Sequence, residues 1–123
     1  MKIRIHDDSL RCRLGRRELG ELVATGFLVS TTRFPTGRLR FGLSLDPDLE
    51  TALVDCADGL VGIGLPLEAF TRWARGSEES YGFSASLGDG TLDILIEKDF
   101  PCDSRPDCPA SDDLFGPESL NLE

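Results

Sequence analysis

The chain is poor in the residues on which most catalytic chemistry rests. Its 123 residues include one histidine, one tyrosine, one tryptophan and one methionine. Glutamine is absent and asparagine occurs once, while eleven arginines stand against two lysines. That bias reads as genome base composition. With one histidine, His6 is the sole candidate for an imidazole base. It lies in a polar stretch beside Asp7 and Asp8, which reads as a turn. Ser9 is too near in sequence to belong to a triad of separated members. Gly62-Ile63-Gly64 leads into Leu65-Pro66 and lacks the rest of a phosphate-loop fingerprint. Small residues there let something pack closely on that strand face.

Long apolar runs are missing too. None approaches the roughly 20 residues needed to span a bilayer. The opening Met1-Lys2-Ile3-Arg4-Ile5-His6-Asp7 has no apolar signal core. The simplest placement is the cytoplasm. Four cysteines are present. Cys12 and Cys56 sit at apolar strand positions and read as small buried hydrophobes. The interval between Cys102 and Cys108 matches no common zinc spacing, and Asp103, Asp107, Asp112 and Asp113 lack calcium-loop spacing. No metal and no cofactor is expected.

The net charge of −9 speaks against nucleic acid and anionic membrane as partners. That total is unevenly distributed. Residues 1–41 hold nine Arg/Lys and four acids, a net of +5; residues 42–123 hold four Arg/Lys and eighteen acids, a net of −14.

Apolar periodicity then sets the architecture. Ile3 and Ile5 alternate with polar residues, as do Leu10, Cys12 and Leu14 after the turn Asp7-Asp8-Ser9. Period-two alternation predicts a hairpin with one apolar and one basic face. Leu19, Leu22 and Val23 predict a helix over 16–25, stopped by Gly26. Strands follow over 27–34 and 38–45, joined at Pro35-Thr36-Gly37. The order then recurs. A hairpin turns at Asp58-Gly59, a helix begins at Pro66 with Leu67, Phe70, Trp73 and Ala74 on its apolar face, and a last hairpin turns at Asp89-Gly90. Shifting the chain by 51 residues lays Cys12 on Ile63, Leu22 on Trp73, Gly37 on Gly88 and Phe41 on Leu92, without a gap. The expected fold is α+β and mainly antiparallel. About eight strands form a barrel-like or strongly curved sheet with two helices, in a ββαββ pattern that occurs twice. Residues 1–100 read as one domain with pseudo-repeats 1–46 and 52–98. Residues 101–123 read as an acidic, proline-containing tail. Small cyclophilin-like barrels share this strand and helix content, as a fold analogy that carries no function.

Two stretches carry a more specific likeness. One is Met1-Lys2-Ile3-Arg4-Ile5 followed by Ser9-Leu10-Arg11-Cys12-Arg13-Leu14; the other is Ile94-Leu95-Ile96-Glu97-Lys98-Asp99-Phe100-Pro101-Cys102. In both, the chain resembles a family of small uncharacterised bacterial proteins. The resemblance implies no activity. It does imply that Glu97 to Cys102 belongs to the domain.

Two functions remain in contention. The first is a non-catalytic module that binds a protein or a ligand, as monomer or homodimer. The second is a small enzyme or anionic small-molecule binder with an Arg/acid pocket at the barrel mouth. Arg4, Arg11, Arg13, Arg38 and Arg40 are the candidate binding residues, since guanidinium forks suit carboxylate and phosphate. Their structural alternative is cross-strand pairing with Asp93, Glu97 and Asp99. The acidic tail is a candidate to cover the same arginines. No catalytic residue is assigned.

Overall fold

The computed structural model describes residues 1–100. The elements follow the expected order: β1 (Lys2–His6), β2 (Ser9–Leu14), α1 (Arg16–Thr25), β3 (Phe27–Phe34), β4 (Gly37–Asp46), β5 (Leu53–Ala57), β6 (Leu60–Pro66), α2 (Leu67–Arg75), β7 (Ser80–Ser86) and β8 (Thr91–Lys98). Local chemistry explains the boundaries. Gly15 caps α1, and Glu18 reaches back to accept the Gly15 N–H at 3.0 Å, one half of a capping box. Pro66 caps α2 with an extended backbone, and its fixed φ suits that entry. Asp58 and Gly59 both hold positive φ, at 53° and 76°, the requirement of a type I′ hairpin turn.

The strands form two four-stranded sheets and no closed barrel. Sheet A has the order β1-β2-β8-β7 and sheet B the order β3-β4-β6-β5. Each joins two antiparallel hairpins through a parallel pair, β2 with β8 and β4 with β6. Each sheet keeps two edge strands, so the barrel expectation is corrected. Apolar alternation reports which face a strand buries. It does not report which hairpin lies beside which, nor in which direction.

By compactness the chain forms two units. Among the described residues, one holds 1–19 and 79–100; the other is Gly20–Glu78. Each sequence half therefore contributes one hairpin to each unit. Sheet A belongs to the first and sheet B to the second, while α1 begins in one and ends in the other. In sheet A the buried side chains are Leu10, Cys12, Leu14, Ile94 and Ile96. In sheet B they are Leu28, Phe41, Leu43, Ile63 and Leu65. Here α2 packs on β4 and β6, and its buried Phe70 and Trp73 rings lie 5.1 Å apart at 47°. A tilted pair at that distance has favourable quadrupole geometry.

The two sheets share one pairing plan. The register Ile3↔Cys12 recurs as Val54↔Ile63, at an offset of 51. The parallel pair Phe41↔Val61 recurs as Ile94↔Leu10, which requires 53 for the second hairpin. Backbone bonds agree. Arg40 N–H donates to Gly59 O and Asp93 N–H to Asp8 O; Leu45 N–H donates to Gly26 O and Lys98 N–H to Glu79 O. Gly37 thus corresponds to Gly90 and Phe41 to Ile94, and the gapless offset of 51 fails after the helices. Two extra residues sit in the connection from α2 to β7. A shift of two preserves strand alternation, so hydrophobicity cannot detect it.

Candidate functional site

The outer face of sheet B carries a concavity of about 640 Å³. Cross-strand register builds it. One row reads Val29, Gly42, Gly62 and Asp55; the next reads Phe27, Ser44, Gly64 and Leu53. The two central strands thus present three glycines and a serine, while the edge strands present larger side chains. The result is a trough with a backbone floor. Phe27 and Leu53, 57% and 55% exposed, form opposite walls together with Val29. Leu60 and Arg40 stand beyond the floor at one end and Asp46 at the other, while Asp55 Oδ1 reaches over Gly62 and Leu49 Cδ1 over Gly64, 3.1 and 3.2 Å from where a Cβ would stand. Glycine inside a strand costs stability and often marks a close approach by a ligand or another backbone. A Cβ on Gly42 would meet Val29 Cγ2 at 3.6 Å and Leu60 Cδ1 at 3.8 Å, so the wall side chains lean over it.

Sheet A fills the corresponding positions. Gly62 and Gly64 correspond to Arg11 and Arg13, and Gly42 and Ser44 to Leu95 and Glu97. The edge positions invert, since Phe27 and Val29 correspond to Ser80 and Gly82. The trough is therefore a local feature of one sheet.

The arginines singled out in the sequence fall into both sheets. Arg4 and Arg11 are direct cross-strand partners, both exposed. Arg13 is committed to structure. Its Nε lies 3.7 Å from Glu97 Oε1, and a terminal nitrogen lies 3.6 Å from Asp99 Oδ1. Asp99 is 4% exposed, and its N–H donates to Leu14 O at 2.7 Å. Asp93 instead accepts from the Ser84 and Thr91 hydroxyls. Arg38 and Arg40 lie on β4 in sheet B, and of the five only Arg40 lines the trough. Neither Arg40 nor Asp55 has a side-chain partner among the described residues.

His6 is exposed and lies 3.6 Å from Asp7. Cys12 is buried, and burial pushes its thiol pKa up to about 12. Cys56 is exposed, against the expectation of burial. It stands on an edge strand beside the Asp58-Gly59 turn, where none of the described residues covers its apolar-pattern position. Ile5, its counterpart in β1, is exposed for the same reason. The Arg16 guanidinium lies 4.5 Å over the Phe100 ring. Cys102, Cys108 and the acidic tail lie outside the described residues. Among the described residues, no group of three potential metal ligands is assembled, and no helix is long and apolar enough to cross a membrane.

A second depression of about 660 Å³ runs along α2, lined by Val23, Leu67, Glu68, Thr71, Arg72 and Arg75, with Gly76 at its end. Three of its seven lining residues are charged, and it is more open to water than the trough. The trough on sheet B combines a glycine floor with exposed apolar walls, and it has the stronger claim to a ligand.

The sequence profile of the family of unknown function DUF7009 matches residues 1–115. The chain belongs to this family. No curated protein and no solved structure matches it. Membership of DUF7009 brings no activity with it, so the functional reading rests on the trough.

Proposed function

We propose that the protein is a non-catalytic binding module whose working surface is the glycine-floored trough of sheet B. The occupant is an apolar molecule of small-ligand size. One observation carries the reading: three glycines form the floor while Phe27, Val29, Leu53 and Leu60 stay exposed around it. Concavities of a few hundred cubic ångströms with apolar walls are the usual form of small-molecule sites. Area favours a small occupant over a second copy of the chain. From strand spacing and rise the face measures roughly 300 Å², against about 800 Å² per partner in a standard interface. We place the module in the bacterial cytoplasm, where the free thiols of Cys12 and Cys56 are compatible with a reducing environment. We also infer that the two ββαββ halves descend from one duplicated unit, which their common registers support.

The neutral fluorophore N-phenyl-1-naphthylamine tests the site. Gly42→Leu places in sheet B the residue that sheet A has at the corresponding position, and the space around Gly42 admits a Cβ. The native protein enhances the fluorescence and the variant, still folded, does not. Equal enhancement by both contradicts the reading. So does a dimer, seen by light scattering, that Gly42→Leu dissociates, because a second copy would then be the occupant.

A further inference from the structure

The charges around the trough allow its ligand to be named by class and orientation. We infer, resting on the trough as the binding site, that the ligand is an apolar monoanion whose carboxylate meets Arg40 and whose hydrocarbon body lies along β4 over Gly42 and Ser44. Among the described residues, Arg40 is the one cation lining the cavity. Its N–H is spent on the Gly59 carbonyl, which fixes the backbone, while its guanidinium has no partner among the described residues. A half-buried guanidinium at the rim of an apolar cavity offers a forked set of donors with the geometry of a carboxylate.

The acids give the direction. Asp46 lies six residues along β4 from Arg40, at the opposite end, with its Oδ1 already accepting the Asp48 N–H at 2.8 Å. Asp55, on β5 in the row next to Arg40, leans over the floor, its Oδ1 3.1 Å from where a Cβ on Gly62 would stand. Like charge disfavours an anionic head near either. The Asp46 end is thereby closed to an anionic head, which is directed to Arg40, and the tail runs along β4 over Gly42 towards Leu49. Sheet A has no such arrangement, because the position of Arg40 is taken there by Asp93, already bonded to two hydroxyls.

Three probes with one tail and three heads test this: octanoate, 1-octanol and octylammonium, each titrated calorimetrically into the full chain and into Arg40→Gln. Octanoate is expected to bind native protein about tenfold more tightly than octanol, the scale of one charge-assisted hydrogen bond. Octylammonium is expected to be weakest of the three. In Arg40→Gln the advantage of octanoate over octanol disappears. Equal binding of octanoate and octanol by native protein overturns the headgroup assignment and leaves the trough intact. Tightest binding of octylammonium overturns it too, and makes Asp46 or Asp55 the head's partner. Failure of octanol and octanoate alike, together with no response from the neutral fluorophore, removes the trough reading itself.

Discussion

Gly42 and Gly62 are direct partners across the parallel pair of β4 and β6, at the place where Leu95 and Arg11 are partners in the other sheet. The backbone plan is the same, and only the side chains differ. That substitution of two long side chains by two glycines opens the face of sheet B. The glycines on this floor do not serve turn geometry. Neither has the positive φ that marks Gly26, Gly59 and Gly88.

Gly59 and Gly37 should therefore respond differently to alanine. A Cβ on Gly59 would lie 2.8 Å from the Arg38 carbonyl oxygen, at a φ of 76°, whereas a Cβ on Gly37 meets nothing within 4 Å. Gly59→Ala is expected to destabilise by about 1–3 kcal/mol, the cost of a strained left-handed residue. Gly37→Ala is expected to change stability by less than about 0.5 kcal/mol, as surface substitutions do. Urea denaturation of both variants measures the difference.

The arginines of the first hairpin should separate in the same way. Arg4 and Arg11 face each other with like charge. Arg4→Glu is expected to stabilise by a few tenths of a kcal/mol, the scale of an exposed cross-strand pair. Arg13→Ala leaves the buried Asp99 carboxylate without its cation and is expected to cost about 1–3 kcal/mol. A melt of each variant at low and high salt reads both effects, and salt should erase only the first.

Thiol chemistry gives a third contrast. In a chain carrying Cys102→Ser and Cys108→Ser, an aromatic disulfide reagent should modify Cys56 at once and Cys12 only on unfolding. Burial keeps the Cys12 thiol protonated up to about pH 12, against 9.0 for an exposed thiol. The unfolded chain therefore loses that proton first. The stabilisation is complete below pH 9 and is lost as pH rises from 9 towards 12. Tyr81, raised by burial, adds a loss of the same sign above pH 10. Cys12→Ala should flatten the fall in unfolding free energy between pH 9 and 10, relative to its own value at pH 8.

Much of the fold was legible in the sequence. Alternation at Leu10, Cys12 and Leu14 and helical spacing at Phe70 and Trp73 placed every element within a residue or two. What stayed hidden was pairing. The parallel contact of β2 with β8 joins residues more than eighty apart, and no local pattern encodes it. The two-residue shift after α2 was invisible because strands repeat every two residues. The trough was half legible. Gly62 and Gly64 pointed to close packing on a strand face. Gly42 and Ser44 could join them only once β4 was known to lie beside β6. Arg40 was a candidate from charge alone, and register separated it from Arg13, which serves Asp99 instead.

The most direct test of the account is an amide and methyl chemical-shift map of the protein during titration with octanoate. Shifts are expected to concentrate at Phe27, Val29, Gly42, Leu53 and Gly62, with the Arg40 side chain shifting most among the arginines. Shifts confined to α2 around Thr71 and Arg72, or to Arg4 and Arg11 on sheet A, would contradict it.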